Sequence, residues 1–203
     1  GNTGFVGLAI APYLVAPVGL SWVVMFSLVH NIVSSYGFGA AIARHYGTYN
    51  KAATLWQQLR ALALTPALWA FVLALGLEWQ GWISPTIREG LHWIAQGVSA
   101  IALLLVGIRF AQLQWQVWPQ ALLAATLKTI VLPLAVGGLC TLAHLGGPQR
   151  LALVLEAGMP TALAGIILSE EYGFAPDIVL LAIAFSSVIL FPALALWLWL
   201  FPQ

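Results

Sequence analysis

Charge is what this chain most conspicuously lacks. Of its 203 residues only 6% are Asp, Glu, Lys or Arg, whereas 62% are hydrophobic, and mean hydropathy is +0.96. A water-soluble domain carries about 25% charged residues, so a soluble globular protein is excluded. Cysteine is nearly absent too: Cys140 stands alone, which excludes an intrachain disulfide framework and any Cys-cluster metal site. His30, His45, His92 and His144 are far apart, so no local metal motif exists and no metal or other cofactor is expected. Seven Lys and Arg against six Asp and Glu give a net charge of +1 with no basic run, which argues against nucleic acid as a partner. No charged segment precedes a short apolar run at the start, so a signal peptide does not explain it. The first methionine is Met25, inside an apolar run, and the expectation is a fragment or a processed product.

What is present is long apolar sequence. A hydrocarbon core of about 30 Å needs about 20 helical residues. Six runs are long enough, at about 18–43, 57–77, 91–109, 117–141, 151–170 and 177–201, with a partial one at 3–16. None alternates as barrel strands do, so the fold class is an all-α integral membrane protein in a lipid bilayer. Trp56, Trp79, Trp82, Trp93, Trp115, Trp118, Trp197 and Trp199 fall near the span ends, where indole rings favour the headgroup zone. If the 44–60 loop is cytoplasmic, that side collects Arg44, Lys51, Arg60 and Arg109, and the other side Arg88 and Arg150. This agrees with the positive-inside rule.

Two polar residues fall deep inside spans. Lys128 is eleven residues into its span and Glu156 six residues past Arg150. At 1.5 Å per residue these depths leave a vertical gap of about 5 Å between them in a 30 Å core. They form either a structural ion pair or part of a substrate or proton path, and in both cases they face inward. Asn31 and His30 also lie mid-span.

Two short stretches break the helical pattern: Gly1-Asn2-Thr3-Gly4-Phe5-Val6-Gly7 and Gly158-Met159-Pro160-Thr161-Ala162. Inside a membrane, unwound backbone is tolerated only where it is buried in protein or lines a cavity. Paired breaks of this kind build transporter sites at the midplane. The breaks have nearly the same spacing, fourteen and fifteen residues to the next proline. Thr3 is followed by Pro17 and then Phe26-Ser27, and Thr161 by Pro176 and then Phe185-Ser186. Five turns separate the two units, which therefore run in opposite directions, as an inverted repeat.

The stretch Gly1-Asn2-Thr3-Gly4-Phe5-Val6-Gly7-Leu8 resembles the Asn-containing crossover motif of the auxin efflux carrier family. Met159-Pro160-Thr161-Ala162, Glu171-Tyr172-Gly173, Phe185-Ser186-Ser187 and Pro192 resemble that family's last two helices, and Lys128 followed by Pro133 a pattern in the helix before them. The resemblance covers nearly the whole chain. It implies a ten-helix, inverted-repeat carrier whose fourth and ninth helices are broken and cross at the substrate site. On that plan the chain begins midway through the fourth helix, with its N-terminal part missing. Residues 1–43 would end the first repeat, 44–56 form a cytoplasmic loop and 57–203 the second five-helix repeat. Asn2, Thr3, Asn31, Met159, Pro160 and Thr161 would bind a small organic anion, exported by alternating access, with Lys128 and Glu156 as an ion-pair or coupling element. Family members suggest homodimers, and the short loop 44–56 suggests a bacterial-type member in the inner membrane. Ala9 stands where the family's first motif usually has proline.

Other classes fit less well. A non-transporting or truncated membrane subunit and a carrier similar to the bile-acid/sodium symporters are the alternatives. Glu170-Glu171 and Phe26 to His30 resemble elements of membrane-embedded CAAX-type proteases. Their order is reversed, however, and Ala175 stands where those proteases need Arg. No catalytic residue and no enzyme activity are expected.

Overall fold

The computed structural model describes residues 1–48, 56, 60, 66–111 and 115–203. Asn50 and Lys51 of the polar segment 44–56, and the start of the run at 57–77, lie outside the described residues. Those described are 84% helical with no strand among them. The chain divides into two units, residues 1–50 with 113–203 and residues 51–112.

The first unit contains α1 (Thr3–Leu14), α2 (Pro17–Tyr46), α5 (Trp115–Leu142), α6 (Gly147–Gly158), α7 (Ala164–Tyr172) and α8 (Pro176–Leu200). Of these, α2, α5 and α8 are long and apolar enough to cross a membrane. Proline opens α2 and α8, at the one helical position where its missing N–H costs nothing. The run expected as one crossing at 151–170 is instead two helices. After Gly158 the backbone turns extended at Met159 and returns to helix at Ala164. Pro160 supplies no N–H to continue α6 and disfavours helix at the residue before it.

The core of this unit is formed by Ala11 and Val15 on or just after α1, Val23 on α2, Leu151, Val154 and Leu155 on α6, and Leu190 and Trp197 on α8. Trp197 belongs to this core and not to the headgroup zone: it is 0% exposed, whereas Trp199, two residues on, is 77% exposed. The indole of Trp197 packs against Gly158, where a Cβ would collide with its six-membered ring. Helix periodicity turns one tryptophan inward while its neighbour faces out.

Contacts at the helix ends set the directions. Ala16, in the turn between α1 and α2, donates its N–H to Gln203 Oε1 at 2.6 Å, and Gly19 abuts Pro148 at the start of α6. At the other end of α2, Arg44 Nε donates to the Tyr172 hydroxyl at 2.9 Å and Thr48 to the Gly173 carbonyl at 2.9 Å. Helices α2 and α8 therefore lie antiparallel. The start of α1 and the junction of α6 and α7 are left mid-way between the two ends.

The second unit holds α3 (Pro66–Trp79) and α4 (Pro85–Phe110). Helix α4 starts earlier than the expected 91, because Ser84 Oγ accepts from the Ile87 N–H and Pro85 takes the first position. Arg88 thus lies within the helix and donates to both Glu78 oxygens, at 2.6 and 2.8 Å, across the turn.

Candidate functional site

The two interrupted stretches meet. The Asn2 N–H donates to the Pro160 carbonyl at 2.6 Å, joining the residues at which the two helical runs are broken. This carbonyl would be orphaned in an unwound segment, and the crossing satisfies it.

Each break is held by a serine from the long helix that follows it. Thr3 is fully buried, and its Oγ1 accepts from Ser27 Oγ at 3.1 Å and Asn31 Nδ2 at 3.4 Å, both on α2. The Thr161 N–H donates to Ser186 Oγ on α8 at 3.0 Å, and the Ser186 hydroxyl donates in turn to the Ile183 carbonyl. Ser27 and Ser186 are the serines of the two Phe-Ser pairs, so the matched spacing places a hydroxyl against each break. Sequence reasoning used them as markers of the repeat and did not include them in the site. Their closely matched separations, 24 residues from Thr3 and 25 from Thr161, were the signal that could have done so.

Helix ends converge on the same point. The Asn2 side chain caps α1 by accepting from the Phe5 N–H at 3.3 Å, and α7 begins just beyond Thr161. Both N-termini, the positive ends of their dipoles, thus lie near the crossing. The C-terminal end of α6 is there too, and Lys128 Nζ donates to the Ala157 carbonyl in its last turn. A cation at a helix C-terminus offsets its partial negative charge.

Three wide helical turns coincide with the site residues. In α1 the Gly7 N–H reaches back five residues to the Asn2 carbonyl at 3.1 Å. Similar widened segments run over His30–Gly39 in α2 and Leu127–Val131 in α5. They begin at Thr3, at His30 beside Asn31, and at Leu127 beside Lys128. Such turns insert one extra residue and re-aim the side chains around it, and they recur at functional sites.

Glu156 is 0% exposed, and neither carboxylate oxygen has a hydrogen-bond partner. It lies against Gly7 of α1, where an added Cβ would run into the carboxyl group. Lys128 turns to the Ala157 carbonyl, with no Glu156 oxygen within 4 Å of Nζ. Met159 and Pro160 are buried, while Thr161, Asn2 and Asn31 are half-buried. All eight expected site residues thus gather about one crossing.

The family model described as membrane transport protein matches residues 1–198. The chain belongs to this family. It is the auxin-efflux-carrier grouping that the crossover motifs resemble. A protein of Methanothermobacter thermautotrophicus named an uncharacterized transporter is 29% identical over 136 residues. That match covers 65% of this chain and 44% of the relative, so the chain spans under half of the relative's length. No solved structure matches. Family membership and the apolar helices together make this an integral membrane protein of the transport class.

Proposed function

We propose that this chain forms part of a carrier that binds a small organic anion where the two interrupted helices cross, and moves it by alternating access. The observation that carries this reading is the Asn2 to Pro160 hydrogen bond, which joins two helix breaks end to end. Two positive helix ends and the Lys128 ammonium gather around that bond, and a carboxylate is the charge they would favour. The antiparallel course of α2 and α8, each following its own break, supports an inverted repeat, with residues 1–43 closing one half and 57–203 forming the other. In this reading loop 44–56 faces the cytoplasm, the membrane is the plasma membrane and the carrier pairs as a homodimer.

Asn2, Thr3, Asn31, Met159, Pro160 and Thr161 then shape the binding site, with Ser27 and Ser186 positioning Thr3 and Thr161. The test uses the full-length protein and two substitutions at one residue. Asn2→Asp keeps an oxygen to cap α1 but sets a negative charge where the anion would sit; Asn2→Ala adds no charge and removes the cap and the side-chain amide. A hydrogen bond to a charged group is worth about 1.5–3 kcal/mol. Both variants should therefore weaken binding of radiolabelled malate or benzoate by roughly tenfold or more. A folded Asn2→Asp protein that binds and transports as the native protein does would remove the crossing from the site.

A further inference from the structure

We infer that Glu156 is a proton-binding site that works through Lys128, so that the carrier takes up one proton together with each organic anion. This rests on the anion site proposed above.

The geometry is unusual for a carboxylate. Glu156 is fully buried on α6, one residue before the carbonyl that Lys128 holds, and has no donor on either oxygen. An ionised carboxylate in such a place lacks both water and hydrogen bonds, at a cost of several kcal/mol. The groups that face it are few. From α5 comes the Lys128 ammonium, and from α1 the uncharged Gly7. Helix α2 contributes His30, within electrostatic reach of Lys128. The buried face of α8 offers Trp197, Leu190, Ala193 and Ser186, none of them charged. Arg150, the other charge on α6, is engaged with Thr141 and the Phe201 ring. Lys128 is therefore the side-chain cation placed to answer a negative charge on Glu156.

Two charge states of the pair follow. With Glu156 neutral, Lys128 caps α6 as seen here, and the part of its positive charge that the helix end does not offset is available to an anion at the crossing. When Glu156 releases its proton to water, the new carboxylate competes for the same ammonium, and the crossing becomes electrically neutral. Protonation of Glu156 and capture of the anion thus favour one another. Linkage makes the coupling reciprocal: bound anion must raise the proton affinity by the factor by which the proton raises anion affinity. No oxidant or co-reactant is involved; one proton moves from water to the Glu156 carboxyl and back.

The experiment uses the full-length protein in lipid bilayers, with radiolabelled malate and benzoate as probes. Over the range where Glu156 titrates, native affinity should fall by about tenfold for each pH unit of rise, as for a single linked proton. In weakly buffered medium about one proton should be taken up per anion bound. Glu156→Gln imitates the protonated carboxyl, so its affinity should no longer vary with pH and its proton uptake should vanish. Glu171→Gln, at an exposed site, should keep both. Affinity that varies with pH equally in the native protein and Glu156→Gln overturns the proposal, as does anion binding without proton uptake.

A second measurement is independent of any substrate. Acid-minus-alkaline infrared difference spectra should show the carbonyl stretch of a protonated carboxylic acid that is lost in Glu156→Gln and kept in Glu171→Gln. Its absence from the native protein overturns the proton site. Failure of both probes to bind while this band is present counts against the anion site alone.

Discussion

Substitution of Gly158 by alanine tests whether the last turn of α6 packs directly on Trp197. A Cβ at Gly158 would overlap the six-membered ring of Trp197, with Cζ3 at 2.9 Å and two further ring carbons closer still. Trp197 is fully buried, so the rigid indole has nowhere to swing. Overpacking of this kind costs about 1–3 kcal/mol, and the geometry places Gly158→Ala toward the upper half of that range. Trp197→Phe removes the colliding part of the ring. It also removes an indole N–H that has no hydrogen-bond partner, and relief of an unsatisfied buried donor offsets about 1–3 kcal/mol of lost packing. The single Phe variant should therefore be close to native in stability, and the double variant Gly158→Ala/Trp197→Phe should recover most of the loss. Thermal unfolding of the full-length protein in detergent, read as a double-mutant cycle, should give a favourable coupling of about 1–2 kcal/mol. Strictly additive effects, or a Gly158→Ala protein as stable as the native one, would refute the contact and with it this account of how the end of α6 packs on α8.

Thr3→Val, which keeps shape but deletes the oxygen that accepts from Ser27 and Asn31, should lower stability by about 0.6–1.7 kcal/mol. Thr3→Ser should restore it, as measured by the unfolding midpoint. Ser186→Ala leaves the Thr161 N–H without its acceptor and should cost about 1–3 kcal/mol, with faster amide hydrogen exchange confined to residues 159–163. Lys128→Met should weaken binding of malate by tenfold or more and loosen the last turn of α6, which exchange at Gly158 and Met159 would report; normal flux would reduce Lys128 to a structural residue. Tyr172→Phe deletes the hydroxyl that accepts from Arg44 and should cost about 0.5–1.5 kcal/mol, with Arg44→Ala adding little to it in the double variant.

The membrane class and the long helices were legible because they depend on composition summed over about twenty residues. Pro17 and Pro176 marked the helix starts, and the long apolar runs beginning near 117 and 177 correspond closely to α5 and α8. The break at 158–162 was legible for a local reason, since Pro160 cannot extend a helix whichever neighbours it has. Side-chain direction was a different matter. Trp197 and Trp199 read alike as headgroup anchors, yet one is core and the other exposed, and only the position of Gly158 on a different helix decides between them. The length of α4 was missed because charge at Arg88 and Glu89 reads as loop, whereas the Glu78 carboxylate folds back to receive Arg88.

The widened turns at Thr3, His30 and Leu127 were illegible for a deeper reason. An extra residue in a helical turn leaves no mark in hydropathy, and the residue types there are ordinary for a membrane helix. What holds such a turn is tertiary. Thr3 has its hydroxyl taken by Ser27 and Asn31, and Lys128 is drawn to a carbonyl on α6. Each turn is therefore a consequence of the crossing and could not precede it in any residue-by-residue reading. The same logic makes the turns informative. A helix adopts a less favourable winding only where neighbouring groups stabilise it, and here three such windings lie beside one hydrogen bond, between Asn2 and Pro160. If the crossing reorganises during a transport cycle, these turns are where α1, α2 and α5 can gain or lose a residue of register without unwinding. Amide hydrogen exchange at residues 3–7, 30–39 and 127–131 should then change together when anion binds, and exchange that changes in one segment alone would separate that segment from the site.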